Sequence, residues 1–288
     1  MRDYTIVINN TSDLPVEYIQ EHGLKVMFLP YTIDGVTYES MEDSLSDQEF
    51  YDKMRAGSMP STSQATPAQA AACLEPLLQE GKDVLCIAFS SGLSGTYQSI
   101  CLAVQDLQEK YPDAAIRVVD SLCASMGEGL FVHKAVMLKE AGKSLDEVAQ
   151  WLEENKLHLC HNFTVDDLFF LHKGGRVSKT TAIVGSALGI KPVLHVDDEG
   201  KLVPVGKVRG RKQSLIALVD RMVKQVQGVE NDMVFISHGD CLQDAEFVRD
   251  LVREKTGVQN FMINYIGPTI GAHSGPGTVA LFFMGQSR

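Results

Sequence analysis

Four hydroxyl side chains and two glycines crowd the segment from Ser90 to Thr96, which reads Ser-Ser-Gly-Leu-Ser-Gly-Thr. An apolar run, Val84 to Phe89, leads into it, and a helix-like run from Tyr97 leads out. A strand that breaks into a Gly/Ser turn and reopens as a helix aims backbone N–H groups and hydroxyls at one spot, which suits an anion. Ser94 is the central hydroxyl, and two readings stay open for it: anion ligand, or part of a strand-to-helix turn. A nucleophilic role fits less well. The hydrolase elbow is G-x-S-x-G, and Gly92-Leu93-Ser94-Gly95-Thr96 has threonine at the last position. No G-x-x-x-x-G-K-[ST] phosphate loop surrounds it either.

Other residues could join such a site. Thr62-Ser63-Gln64 lies just before a helix opening at Pro67, where hydroxyls ordinarily act as N-caps. His273 sits in a glycine-rich loop, Gly271 to Gly277, whose backbone allows close approach of a ligand. A neutral imidazole there would donate a hydrogen bond, and a protonated one would add charge. Arg176, in the Lys173-Gly174-Gly175-Arg176 turn, reads as a solvated cation or as an organiser of a pocket mouth. Lys207, Arg209, Arg211 and Lys212 form the one dense basic cluster, ordinarily a solvated surface. His158, Cys160 and His161 match no zinc spacing, and Asp197-Asp198-Glu199-Gly200 lacks a calcium-loop pattern. No metal is expected.

The composition narrows the class. The chain has 288 residues, of which 44% are hydrophobic, and a formal charge of −11. That charge argues against nucleic acid as a partner, because phosphate binding needs a basic face. No signal peptide and no run of about 18 apolar residues is visible, so a cytoplasmic protein is expected. The six cysteines are scattered, without a CxxC pair, and read as free thiols.

The elements that must position these residues alternate at first. Tyr4–Ile8, Val84–Phe89 and Ile116–Asp120 read as strands; Val16–His22, Pro67–Gln79, Tyr97–Lys110 and Gly127–Glu140 read as helices. Asp13 is expected to cap the first helix, and Ser46 with Glu49 to form a capping box. Strands separated by helices imply a mostly parallel sheet, with ligands beyond the strands' carboxyl ends. That would put Asn9–Asp13, Ser90–Thr96 and Ser121–Ser125 on one rim. The second half reads differently. Phe163–Leu171 is extended or mixed and Thr180–Leu188 helix-like. Lys191–Val196 and Leu202–Val208 form a hairpin, a helix runs from Ser214, and Asn260–Ile266 and Thr278–Met284 are final strands. The fold class is therefore α/β in two domains: 1–158, a mostly parallel α/β domain, and 159–288, an α+β domain.

Several of these loops, in order along nearly the whole chain, resemble the DegV family of fatty-acid-binding proteins. They are Ser12-Asp13-Leu14-Pro15, Pro60 to Gln64, Ser90 to Tyr97, Asp120-Ser121 with Ala124 to Gly127, Lys173 to Lys179, Lys191-Pro192, Gly206 to Lys212, and Gly271 to Gly277. The resemblance implies a ligand between the two domains: one long-chain fatty acid, its carboxylate held by Thr62, Ser63, Ser94, Gly95 and His273. It implies no catalytic residue and no cofactor. It also implies a partner, a separate ATP-binding fatty acid kinase that phosphorylates the presented carboxylate to acyl phosphate for phospholipid synthesis. Arg209, Arg211 and Lys212 would form the docking segment, and transient membrane contact is left open. One departure stands out: the family's usual Asp-Ser-Thr after the first strand is Asn9-Asn10-Thr11 here. A stand-alone enzyme on a small carboxylate or phosphate, and a lipid sensor or store, are the competing readings.

Overall fold

The structure is a computed structural model and describes residues 3–178 and 189–288. The expected helix at Thr180–Leu188 lies outside the described residues.

The first half builds β1 (Tyr4–Asn9), α1 (Val16–Glu21), β2 (Lys25–Met27), β3 (Tyr31–Ile33), β4 (Val36–Tyr38), α2 (Asp47–Arg55) and β5 (Ser61–Thr62). It continues with α3 (Pro67–Gln79), β6 (Asp83–Ala88), α4 (Thr96–Lys110), β7 (Ile116–Asp120), α5 (Met126–Glu140) and α6 (Leu145–Asn155). The second half builds β8 (Leu159–Thr164), α7 (Phe169–Lys173), β9 (Ile190–Val196), β10 (Leu202–Arg209) and α8 (Arg211–Gln225). It ends with β11 (Val234–His238), α9 (Leu242–Thr256), β12 (Phe261–Tyr265), α10 (Pro268–Ser274) and β13 (Val279–Met284).

These strands form three sheets. A parallel sheet has the order β2-β1-β6-β7, and a six-stranded sheet the order β10-β9-β8-β13-β11-β12. A small antiparallel sheet, β4-β3-β5, carries Thr62. The six-stranded sheet is antiparallel except between β11 and β12. The fold is therefore mixed α/β, with a parallel sheet, as the alternation of strands and helices predicts.

Helix α5 joins the two large sheets. Its residues from Met126 to His133 are all buried. A stretch buried on every side has no solvent face and lies inside the molecule, and its acid, Glu128, is hydrogen-bonded to Thr11 and the Asn9 N–H. Leu130 and Phe131 share one core with Ile6, Ile8 and Leu85 of the parallel sheet, and with Phe235 and Phe282 of the other. Gly129 permits this closeness, since a Cβ there would lie 2.7 Å from the Ser12 carbonyl.

Asp13 does not cap α1. Pro15 occupies that position, and no side chain caps the helix. Asp13 instead adopts φ 52° and closes a short 3-10 turn. Its carboxyl accepts from Ser125 Oγ and, at 3.0 Å, from the Gly267 N–H. Its carbonyl accepts from Asn264 Nδ2 at 2.9 Å, and Ser125 Oγ lies 2.8 Å from Ser237 Oγ. One buried residue thus ties the end of β1 to α5, β11 and β12. Burial pushes its carboxyl well above the usual range, opposed by the bonds from Ser125 and Gly267.

Candidate functional site

A cavity of about 520 Å³ lies where the three sheets meet. That is within the ~300–1,000 Å³ typical of small-molecule pockets. One end of its wall is polar. Thr62, Ser63 and Gln64 come from β5 and the turn after it, Ser94 and Gly95 from the loop before α4, and His273 from α10. All five residues carried over from the family pattern therefore line one cavity. Ser63 and Gln64 are also exposed, so this end borders solvent.

Thr62 and Ser63 are free of the capping duty expected of them. Thr66 caps α3 instead, in a capping box with Gln69. Thr62 Oγ1 lies 2.7 Å from His273 Nε2. His273 is not in an open loop: it sits in the last turn of the short helix α10, which begins at Pro268. Pro at a helix start is pre-organised for it, and the glycines around His273 hid the helix. Burial, then the Arg176 charge, brings the His273 pKa down to about 4. With the cavity unliganded, this favours a neutral ring at neutral pH.

Ser94 takes part in the strand-to-helix turn, one of the two readings proposed for it. Its Oγ accepts from the Thr96 N–H at 3.2 Å and lies 2.9 Å from Thr96 Oγ1, a local turn bond at the start of α4. The same residue lines the cavity. Arg176, which also lines the cavity, holds this loop: its Nε and Nη2 donate to the Leu93 carbonyl at 3.2 and 3.0 Å, and its Nη1 to Gly174 O. It is no solvated cation. Gly174 packs on His273, because a Cβ there would collide with Nδ1.

The floor is apolar and alternates as a strand should. His161 and Phe163 of β8, with Ala280 and Phe282 of β13 and Thr278 just before it, line the cavity. Asn162 and Thr164 face the other way, toward Leu218 and Pro192. The sequence reading began this strand late, at Phe163, and so missed His161. The alternation from Leu159 was the available signal.

Two readings are refined. First, the three polar loops do share one rim, with the Phe89 N–H donating to Asn9 Oδ1 and the Ser90 N–H to the Cys123 carbonyl, but Asn9–Asp13 does not line the cavity. Asn9 is fully buried; its Oδ1 accepts from the Phe89 N–H at 2.9 Å and its own N–H donates to Glu128 Oε1 at 3.3 Å. The Asn-for-Asp exchange thus sits beside a buried carboxylate, not beside the polar end of the cavity. Burial raises the Glu128 pKa well above its usual value, and Thr11 Oγ1 donates to it at 2.8 Å. Second, the basic cluster is not one free patch. Lys207 and Arg209 are exposed on the edge strand β10. Arg211 begins α8 and pairs with Asp244 at 2.8 Å, while Lys212 lies over the Phe247 ring at 5.6 Å. None of the four lines the cavity.

A mixed α/β scaffold closing a polar-ended, apolar-floored cavity defines a class of proteins that take a small ligand, and comparison with known proteins names it. The family model described as "Uncharacterised protein, DegV family" matches residues 3–286, and the chain belongs to the DegV family. A DegV domain-containing protein of Clostridium perfringens is 42% identical, covering 100% of this chain and 99% of its own length. The structure of a DegV family protein from Thermus thermophilus, described by its fatty acid binding, superimposes with TM-score 0.87 at 30% identity, covering 99% of this chain and 100% of that one. A stearic-acid-binding protein from Eubacterium ventriosum superimposes with TM-score 0.90 at 25% identity, covering 98% of each chain. Fatty acid binding is thus a property of solved DegV relatives. No described helix is long and apolar enough to cross a membrane.

Proposed function

We propose that this chain binds one long-chain fatty acid in the cavity and holds it for a second protein. The observation that carries the reading is the Thr62–His273 pair, 2.7 Å apart at the polar end of a mainly apolar cavity. The tail contributes about 0.8 kcal/mol per buried CH₂. The carboxylate, costly to bury bare, would accept from Thr62 Oγ1 and Ser94 Oγ. His273 is neutral and adds no fixed charge. With Nε2–H donating to Thr62 Oγ1, the Thr62 proton is free for the ligand.

Ser63 and Gln64 border solvent, so a carboxylate at this end would be within reach of a kinase. On this reading the protein makes no bond itself. The kinase would dock through Arg209 and Lys212, with Arg211 committed to Asp244. The chain would work as two domains, 1–158 and 159–288, clamping the ligand between them.

Native mass spectrometry of the full chain should show a co-purified fatty acid that added acid can exchange. A protein that stays empty in the presence of fatty acid overturns the reading. Acyl phosphate should form only when a fatty acid kinase and ATP are both present. An unchanged rate in the Arg209→Glu, Lys212→Glu variant removes the docking assignment.

A further inference from the structure

Four cavity residues stand in one row across the six-stranded sheet. Phe282 of β13 pairs with His161 of β8, and Leu202 of β10 pairs with Val196 of β9. The β8–β9 register, with Asn162 opposite His195 and Phe163 opposite Leu194, sets His161 beside Val196. Directly opposed residues share one face of a sheet, and all four line the cavity. The row lies far from the polar end. Thr278 donates its hydroxyl to the Ser274 carbonyl at 2.9 Å, next to His273. Phe282 follows four residues later, about 13 Å further at the rise of a strand.

The space behind the row is taken. The Arg288 guanidinium donates to the Leu159 carbonyl at 3.0 Å and to the Asp197 carbonyl at 2.9 Å, the first two residues beyond His161 and the second one residue beyond Val196. The turn that joins Val196 to Leu202 is docked on the first half of the chain. Ser90 Oγ donates to the Gly200 carbonyl at 2.8 Å, and a Cβ on Gly92 would collide with the Glu199 carbonyl. Leu202 itself packs against the apolar cores on both faces of the parallel sheet. A methyl end that passed the row would have to displace a hydrogen-bonded guanidinium and backbone, and leaving such groups unpaired is costly.

We propose that Val196 and Leu202 form the stop against which the end of the acyl chain rests, and so set the chain length this protein prefers. The inference rests on the fatty-acid reading above and names the residues that measure the tail. Both side chains are aliphatic, so truncating either opens space without removing a hydrogen bond. A longer acid fills that space and gains from burying further CH₂ groups, while a shorter one leaves it empty, so both effects move the preference the same way.

The test is a competition on the delipidated full chain, read by native mass spectrometry, among equal amounts of tetradecanoic, hexadecanoic, octadecanoic and eicosanoic acids. Val196→Ala and Leu202→Ala should each move the favoured length upward, changing the ratio of neighbouring acids by about tenfold for two further CH₂ groups buried. Val196→Ile, a milder change that keeps the core filled, should move it downward. Leu29→Ala is the comparison. Leu29 also lines the cavity, but beside the polar end, where the Ser63 N–H donates to the adjoining Pro30 carbonyl. That variant should weaken binding of every acid without moving the favoured length. A parent chain that takes all four acids equally, an unchanged distribution in the three row variants, or an equal shift in Leu29→Ala overturns the proposal. Those outcomes leave the fatty-acid reading standing; a parent chain that binds none of the acids defeats both.

Discussion

Thr62 and His273 stand 211 residues apart in sequence, and their side chains meet at 2.7 Å. One comes from the small β4-β3-β5 sheet and the other from the last helix. The pair should therefore act as a unit. Thr62→Val and His273→Phe should each weaken fatty acid binding about tenfold, since each removes a bond worth about 1–1.5 kcal/mol. The double variant should lose far less than a hundredfold, because the second change removes a group already uncoupled. Full additivity in a titration series would show that the two residues act separately.

Gly174 and Gly175 offer a paired test of packing against backbone strain. A Cβ on Gly174 collides with His273 Nδ1, although its φ of −73° suits alanine. A Cβ on Gly175 meets nothing within 4 Å, but its φ is +75°. Gly174→Ala should thus cost ligand affinity as well as about 1–3 kcal/mol of stability. Gly175→Ala should cost about 1–2 kcal/mol of stability with smaller change in affinity. Denaturant melts and lipid titrations of both variants separate the two effects.

Acid should destabilise the protein partly through His273. Its folded pKa is about 4, below the ordinary value of 6.5. Between these values the unfolded chain binds the proton and the folded one does not, so stability falls as pH drops from 6.5 toward 4. His273→Gln should flatten that part of the curve. An identical acid limb in both proteins, measured by melting temperature against pH, would remove the assignment.

Asp13 works in the opposite sense. Its folded pKa is raised by burial, so the stabilisation is complete below the unfolded value and is lost as pH rises through the folded one. Asp13→Asn removes this loss. The stability difference, variant minus parent, should grow as pH increases. A constant difference would mean that the carboxyl does not titrate in that window.

The legible parts of this molecule were those where chemistry is local. Ser46 and Glu49 form the capping box that their spacing predicts, and the parallel sheet follows from the strand–helix alternation. Thr62, Ser94 and His273 came from loops whose residue types repeat a family pattern. What failed depended on distant partners. Asp13 resembles an N-cap by position, yet its carboxyl is claimed by Ser125 and Gly267. Arg211 looked free until Asp244, on another helix, was placed beside it. β8 was obscured because helix α8 covers one face and the cavity the other, so polar His161 and Asn162 could both be buried.

The position of β13 has a consequence for how the protein is made. The strand lies in the middle of its sheet, between β8 and β11, yet it follows both in the chain. Until it emerges from the ribosome, β8 and β11 face an open slot, each with an unpaired edge. Half of the cavity floor does not exist at that stage. Non-local pairing of this kind folds slowly and leaves sticky edges waiting. A nascent chain stalled before residue 279 should thus be a client for chaperones, unable to hold a lipid. Binding competence would arrive in one step, with the insertion of a single strand.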